Sequence, residues 1–426
     1  MNSLQAAVEG KGFGRLIRRG GSITGHYGLT TDKMDRALAL FADILDRYRC
    51  GATFPLTAIT LARSRWDVDR YRARNIEFAV HGLCHVDHSR LTPAQLDDHL
   101  GRARELFAAR GIEATGFRCP YLRWNGDTLD AVRRAGFRYD SSGSLVWPVV
   151  DGRETETYGR VLRFYGAQPA ADYPALPAIE GGLVRMPYTL PDDEAFVDRL
   201  SLEGAEMAEL WPAVLAETHR LGELFVLGLH PERVYPCAAA LEATLDAARS
   251  LSPGVWIARL DEIAAWWSAR AQATVTCAEV APGRYALRVD GPPGTAILTR
   301  GTEPAVSAAP WDGAYRRIHA QEFEVSAASR PFIGLTPRSA PQLRAFLVEQ
   351  GYIVETTGEG SAYEFIFDWP EFDAIDRRPV LAAIEESCFP LVRLGRWPAG
   401  NRSALAITGD IDALTLWDYG LRLFGR

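Results

Sequence analysis

From residue 30 to about residue 270 the chain alternates between two spacings of hydrophobic residues. DKMDRALALFADILDRY repeats its apolar positions every three or four residues and predicts a helix. GATFPLTA is a short apolar run and predicts a buried strand; after a connecting helix near WDVDRYRAR comes a second such run, IEFAVHG. The helix TPAQLDDHLGRARELFAARG follows, then the strand ATGFRCPY, the helix DTLDAVRRAG with its glycine stop, and the short runs FRYDSS and LVRMPY. A long helix around residues 203–221, the strand ELFVLGLH and the segment VWIARLDEIAAWW complete the series. Strands that alternate with helices in this way predict a parallel α/β layer or barrel.

Near Ala273 the spacing changes to two. TVTCAEV, RYALRVD and TAILTRG are separated by Pro and Gly turns, which predicts a small antiparallel β unit running to about residue 337. Residues 338–400 are mixed, with a helix at PQLRAFLVEQG, a strand at YEFIFDW and a helix at RRPVLAAIEES. The final segment, SALAITGDIDALTLWDYGLRLFG, reads as a buried strand, an acidic turn and a helix. The expected division is therefore 1–272, 273–337, 338–400 and 401–426.

At 426 residues, two or three domains are expected. No run of about 18 apolar residues could cross a membrane. The opening MNSLQAAVEGKGFG has neither the basic start nor the apolar stretch of a secretory leader, so a cytoplasmic protein without a membrane anchor is expected. The glycines of GKGFG lack the preceding strand that a phosphate-binding loop requires. A formal charge of −7 disfavours a nucleic-acid partner, which needs a concentrated basic face. The six cysteines contain no CxxC pair, which argues against both a disulfide framework and a cysteine-ligated zinc cluster.

Three strand ends carry candidate chemistry. His81 and His85 close the apolar run IEFAV, and imidazoles four residues apart can converge on one metal ion. By themselves they read equally well as two polar loop histidines, with His88 as a bystander or supporting group. Arg118, in FRCPY, could hold a carboxylate bidentately, or it could be a surface arginine before a proline turn. His230 closes ELFVLGLH and could deliver a proton, or it could be a capped core histidine. Catalytic groups in parallel α/β folds gather at the carboxyl ends of strands, and three complementary groups in such places favour a site.

The order of these motifs resembles that of the polysaccharide deacetylases, the NodB-homology enzymes of carbohydrate esterase family four, over about residues 30–270. VHGLCHVDHSRLT resembles the histidine motif of that family, FRCPY its arginine-proline motif, GFRYDSS the strand and acidic turn that follow, and LGLH its final leucine-histidine motif. VWIARLDEIAAWW is similar to the helix that closes the domain. Family members open with an apolar strand ending in two aspartates, and here GSITGHYGLTTDK has no acid at the end of its apolar part. Asp32 reads instead as an N-terminal helix cap, with Asp35 three residues on. The missing motif is similar to Asp410-Ile411-Asp412, which ends the apolar run 404–408 at the other end of the chain. A circular permutation is expected from this.

The resemblance implies a deformed (β/α) barrel, 1–272, completed by the strand and helix of 401–426, with a small β-rich module inserted. It implies a divalent metal ion, zinc by preference, held by Asp412, His81 and His85. Asp410 would be the general base, its carboxylate oriented by Arg118, and His230 the acid that protonates the departing amine. The backbone N–H of Tyr121 would stabilise the oxyanion, and Leu229 and Tyr121 would face the substrate, Leu229 lining a small acyl pocket. The expected activity is removal of an acetyl or other small acyl group from the amide nitrogen of an N-acetylated amino sugar or a small amide. The competing class is a catalytically inactive carbohydrate-binding protein with the same groove. A homo-oligomer, with the C-terminal strand supplied by a neighbouring chain, is left open.

Overall fold

The computed structural model describes residues 25–422 except 65, 151 and 359–361; the GKGFG segment and the two chain ends, expected to emerge on one side of the domain, lie outside the described residues. Nine strands build the main sheet: Ala52–Leu56 (β1), Ile76–Val80 (β2), Gly116–Phe117 (β3), Tyr139–Asp140 (β4), Ala178–Glu180 (β5), Leu183–Arg185 (β6), Leu224–Gly228 (β7), Val255–Ile257 (β8) and Ser403–Thr408 (β9). Their spatial order is β7-β9-β1-β2-β3-β4-β6-β5, with β8 also paired to the start of β9. All pairings are parallel except the β5–β6 hairpin. The architecture is α/β, a sheet curled into an incomplete barrel with helices packed on it.

The C-terminal strand lies inside this sheet. All six residues of β9 are buried; Ala404 to Thr408 pair with Leu224 to Gly228 of β7, and Thr408 pairs with Thr53 of β1. Such an uninterrupted apolar strand suits a position with neighbours on both edges and both faces covered.

Strand parity sorts the two faces. Phe225, Leu227, Leu405 and Ile407 join the outer core beneath the helices Asp32–Tyr48 (α1), Pro93–Ala109 (α2), Gly126–Arg134 (α3), Gly204–Leu221 (α4) and Val234–Ser250 (α5). Leu224, Val226, Ala404 and Ala406 face the inner side, where the helix Leu260–Arg270 (α6) and residues such as Leu298, Leu391 and Trp397 close the curl from below. The side-chain period of two is what divides alternate residues between these cores.

At the start of α1 the N-cap is Thr31, and Asp32 is the first helical residue. This corrects the cap assigned to Asp32. Thr31 bonds the Asp35 carboxylate through its hydroxyl, while Asp32 and Asp35 place negative charge in the first turn, where the helix dipole favours it.

After α6 the chain forms the antiparallel pair Thr274–Ala281 and Arg284–Asp290, with Glu322–Ser326 beside it. A second antiparallel sheet pairs Ile297–Arg300 with Tyr315–Ile318 and with Leu391–Leu394, and Ile333–Leu335 pairs in parallel with Val354–Thr356. Residues 273–337 and 338–400 thus share sheets. Past the last acids, the helix Leu416–Arg422 (α7) returns to the beginning of the described chain: the Leu416 N–H donates to the Gly28 carbonyl at 2.8 Å, and the Tyr27 and Tyr419 rings lie 5.4 Å apart. Among the described residues no helix is long and apolar enough to cross a membrane.

Candidate active site

The inner-face parity of three strands continues into the residues that follow them. Glu77 and Ala79 of β2 point inward, so His81 does too; Val226 of β7 sets the phase for His230, and Ala404 and Ala406 of β9 set it for Thr408, Asp410 and Asp412. Asp-x-Asp therefore sends both carboxylates to one side, while Ile411 between them joins the outer core and bridges to Leu56. Gly409 permits the close approach of β9 to β7: a Cβ there would lie 2.0 Å from the Leu229 carbonyl oxygen.

Ligand atoms of His81, His85 and Asp412, all buried, lie within 4.8 Å of one another. His81 Nε2 and His85 Nε2 are each 3.3 Å from Asp412 Oδ1. The edge of a tetrahedron whose centre stands 2.0–2.1 Å from each corner is about 3.3 Å, so the spacing and the two-imidazole, one-carboxylate chemistry suit a divalent ion such as zinc. His81 Nδ1 stands 3.0 Å from the Arg118 carbonyl, which fixes Nε2 as the metal-facing atom. The Tyr121 ring meets His85 edge-on at 4.2 Å. Tyr121 itself has φ 58°, a left-handed conformation rare outside glycine, held by a turn in which the Leu122 N–H donates to the Cys119 carbonyl at 3.0 Å.

Asp410 stands next to this set, its Oδ2 3.7 Å from His81 Nε2. The fully buried Arg118 guanidinium donates to Asp410 Oδ1 at 2.7 Å, to the Thr408 hydroxyl at 3.1 Å, and to the carbonyl and hydroxyl of Ser141, each at 3.1 Å. That network fixes the carboxylate in one orientation.

His230 forms the opposite wall. Its Nδ1 is 2.9 Å from Asp193 Oδ1, and Arg233 Nε is 3.4 Å from Asp193 Oδ2. Burial alone would lower the His230 pKa, but the Asp193 carboxylate outweighs it, with Glu232 and Asp410 adding, and the pKa rises well above the ordinary imidazole value. Asp192, beside it, takes the Tyr188 hydroxyl at 2.9 Å; burial and then the charges of Asp193 and Glu194 push its carboxyl up to about 7. These acids, and Tyr165 and Tyr188 around the cleft, went unrecognised in the sequence. The run Asp192-Asp193-Glu194 directly after the apolar YTLP was the available signal.

The cleft between the walls has a volume of about 40 Å³. Tyr121, Leu122, Tyr165 and Tyr188 line it together with the imidazoles and acids. Leu229 does not: it shares the parity of Phe225 and Leu227, so its fully buried side chain lies in the outer core, and Leu122 is the apolar residue at the cleft. His88 sits behind the site with its ring against Phe117 at 5.6 Å, and burial lowers its pKa to about 3. Cys84 and Cys119 are buried without a disulfide.

Residues 24–139 match the family model of polysaccharide deacetylase. A peptidoglycan deacetylase-like protein of Gibberella zeae is 40% identical over 67 residues, which is 16% of this chain and 20% of that protein, so the match spans about a fifth of the relative's length. Among solved structures, a protein assigned as a polysaccharide deacetylase from Mycobacterium smegmatis is 22% identical, covering 59% of this chain and 82% of its own, with a TM-score of 0.44. One assigned likewise from Pseudomonas aeruginosa is 19% identical over 54% of this chain and 72% of its own, with a TM-score of 0.43. The segment that matches the polysaccharide deacetylase model contains His81, His85 and Arg118.

Proposed function

We propose that this protein is a metal-dependent amide hydrolase that removes an acetyl or similarly small acyl group from an N-acylated amino sugar or related small amide. The observation that carries the reading is the pairing, across one small cleft, of a His-His-Asp donor set beside an Arg-held carboxylate with a carboxylate-held imidazole. His81, His85 and Asp412 would hold the ion, zinc by the donor set, which when bound supplies Lewis-acid stabilisation at the acyl carbonyl. Asp410, oriented by Arg118, is the general base that takes a proton from the attacking water. His230 gives a proton to the departing amine, and Asp193 keeps the imidazole protonated and aimed. The Tyr121 N–H serves as an oxyanion donor in the reading carried over from the family. A cleft of about 40 Å³ walled by Leu122 and three tyrosines suits an acetyl or formyl group better than a long chain.

We also propose that the chain is a circular permutant of the family, with β9 and α7 in the place of the opening strand and helix. The contact of Leu416 with Gly28, just before α1, supports this ordering. Metal analysis of the purified protein, followed by release of acetate from a panel of N-acetylated sugars, tests the activity. Stoichiometric metal with no hydrolysis of any substrate would instead favour a binding protein.

A further inference from the structure

At the opposite ends of β7 and β9 from the active site lies a second cavity, of about 290 Å³. It opens between the C-terminal end of α4 and the elements of residues 298–402, so its walls come from both halves of the molecule. Its volume is at the lower edge of the range in which small ligands are held.

The wall is rich in arginine, and most of these side chains have carboxylate partners. Arg378 pairs with Glu223, Arg402 with Asp312, and Arg393 with Glu385 at 2.6 Å. Tyr315 and Tyr352 hydroxyls also donate to Glu385, at 2.9 and 2.6 Å. Arg396 differs. It is 8% exposed, it donates to the main-chain carbonyl of Leu221 at 3.1 Å, and its Nε is buried with no hydrogen-bond acceptor. Among the described residues no carboxylate forms an ion pair with it. Burial, and then the neighbouring Arg393 charge, lower its pKa, against the smaller opposing effects of Tyr352, Glu385 and Glu223. A buried charge left in this condition is costly unless an anion completes its shell.

We propose that this cavity binds a monosaccharide-sized organic anion, with the carboxylate or phosphate group on Arg396 and the body against Trp311, Tyr315 and Leu381. Arginine suits both kinds of anion because its planar fork offers two parallel donors to either. Aromatic walls with polar groups between them suit a sugar ring.

Isothermal titration of the full chain with glucose 6-phosphate, glucuronate and neutral glucose, at matched ionic strength, tests the site. Saturable binding of at least one charged sugar, at least tenfold tighter than glucose, is expected, and which one binds identifies the anion class. Because phosphate and carboxylate can also reach a metal ion, the titration is repeated on Asp412→Asn, where binding should persist. Arg396→Gln should weaken it at least tenfold. Since Arg396 also holds a helix terminus, Ala382→Trp, which fills the cavity and leaves every guanidinium in place, is the second variant and should abolish binding. No saturable binding of either charged sugar, loss of binding in Asp412→Asn, or unchanged affinity in a folded Ala382→Trp protein would overturn the proposal.

Discussion

The two walls of the candidate active-site cleft handle buried charge in opposite ways. On one wall His81, His85 and Asp412 turn their ligand atoms towards a common point, 3.3 Å from imidazole to carboxylate. On the other, His230 is backed by Asp193, Asp193 by Arg233, and Arg233 by Asp198 at 2.8 Å, so that the chain supplies its own counter-charges in series. Converging donors suit an ion from outside the chain, whereas an imidazole with a fixed counter-charge suits the transfer of a proton. Asp410 stands between them, held by Arg118 on the side of the donor set.

The sharpest division lies between the two aspartates of β9. Asp410→Asn should lower kcat at least about 1,000-fold, within the range for general-base loss, while leaving metal content unchanged. Asp412→Asn should lower both. Kinetics and metal analysis on the same preparations separate them, and equal metal loss in the two variants would show that the roles are misassigned.

Next in size is Arg118→Met, which leaves Asp410 buried without its partner. Activity should fall about 100-fold, and stability by about 3–5 kcal/mol, the cost of breaking a buried ion pair. Denaturant unfolding alongside kcat checks this; loss of activity with unchanged stability would argue against the buried network.

Asp193→Asn breaks the chain-supplied wall. The His230 pKa is raised by Asp193, so the alkaline limb of kcat should move to lower pH in the variant, with a loss of about 100-fold at the wild-type optimum. A pH profile that only scales down, without moving, would remove His230 from the acid role.

The smallest effect concerns a buried acid outside the cleft. Glu77 receives the Thr53 and Tyr139 hydroxyls at 2.7 and 2.8 Å, and burial, then the Asp261 charge, push its carboxyl up to about 8 from 4.5. The folded value exceeds the unfolded one, so the unfolded chain releases the proton first as pH rises. This group therefore lowers stability progressively from about pH 4.5 to about pH 8. Glu77→Gln should flatten that decline by roughly a few degrees in Tm between pH 5 and 8, measured by thermal melts. Parallel slopes in the two proteins would reject the assignment.

Much of the site was legible because its residues follow apolar strands. His81, Arg118, His230 and the Asp410–Asp412 pair each end a run whose parity carries them to the inner face. Leu229 shows how that reading can slip by one: it neighbours His230 in sequence, yet it belongs to the outer face with Phe225 and Leu227. Asp193 was missed because it opens a short helical segment just after Tyr188–Leu190, where strand parity no longer indicates direction.

By itself the amino-acid order determined the alternation of helices and strands, the buried character of 403–408 and the kinds of side chain available at strand ends, since these depend on local spacing and hydrophobicity. Which strand lies beside which was decided only in three dimensions. Hydrogen-bonded pairing and burial place β9 between β7 and β1, about 350 residues along the chain from its β1 neighbour. The same is true of Asp193 behind His230, and of Arg396 among guanidiniums from distant segments. Their chemistry comes from distances of a few ångströms between residues far apart in sequence, and only the packed chain creates those distances.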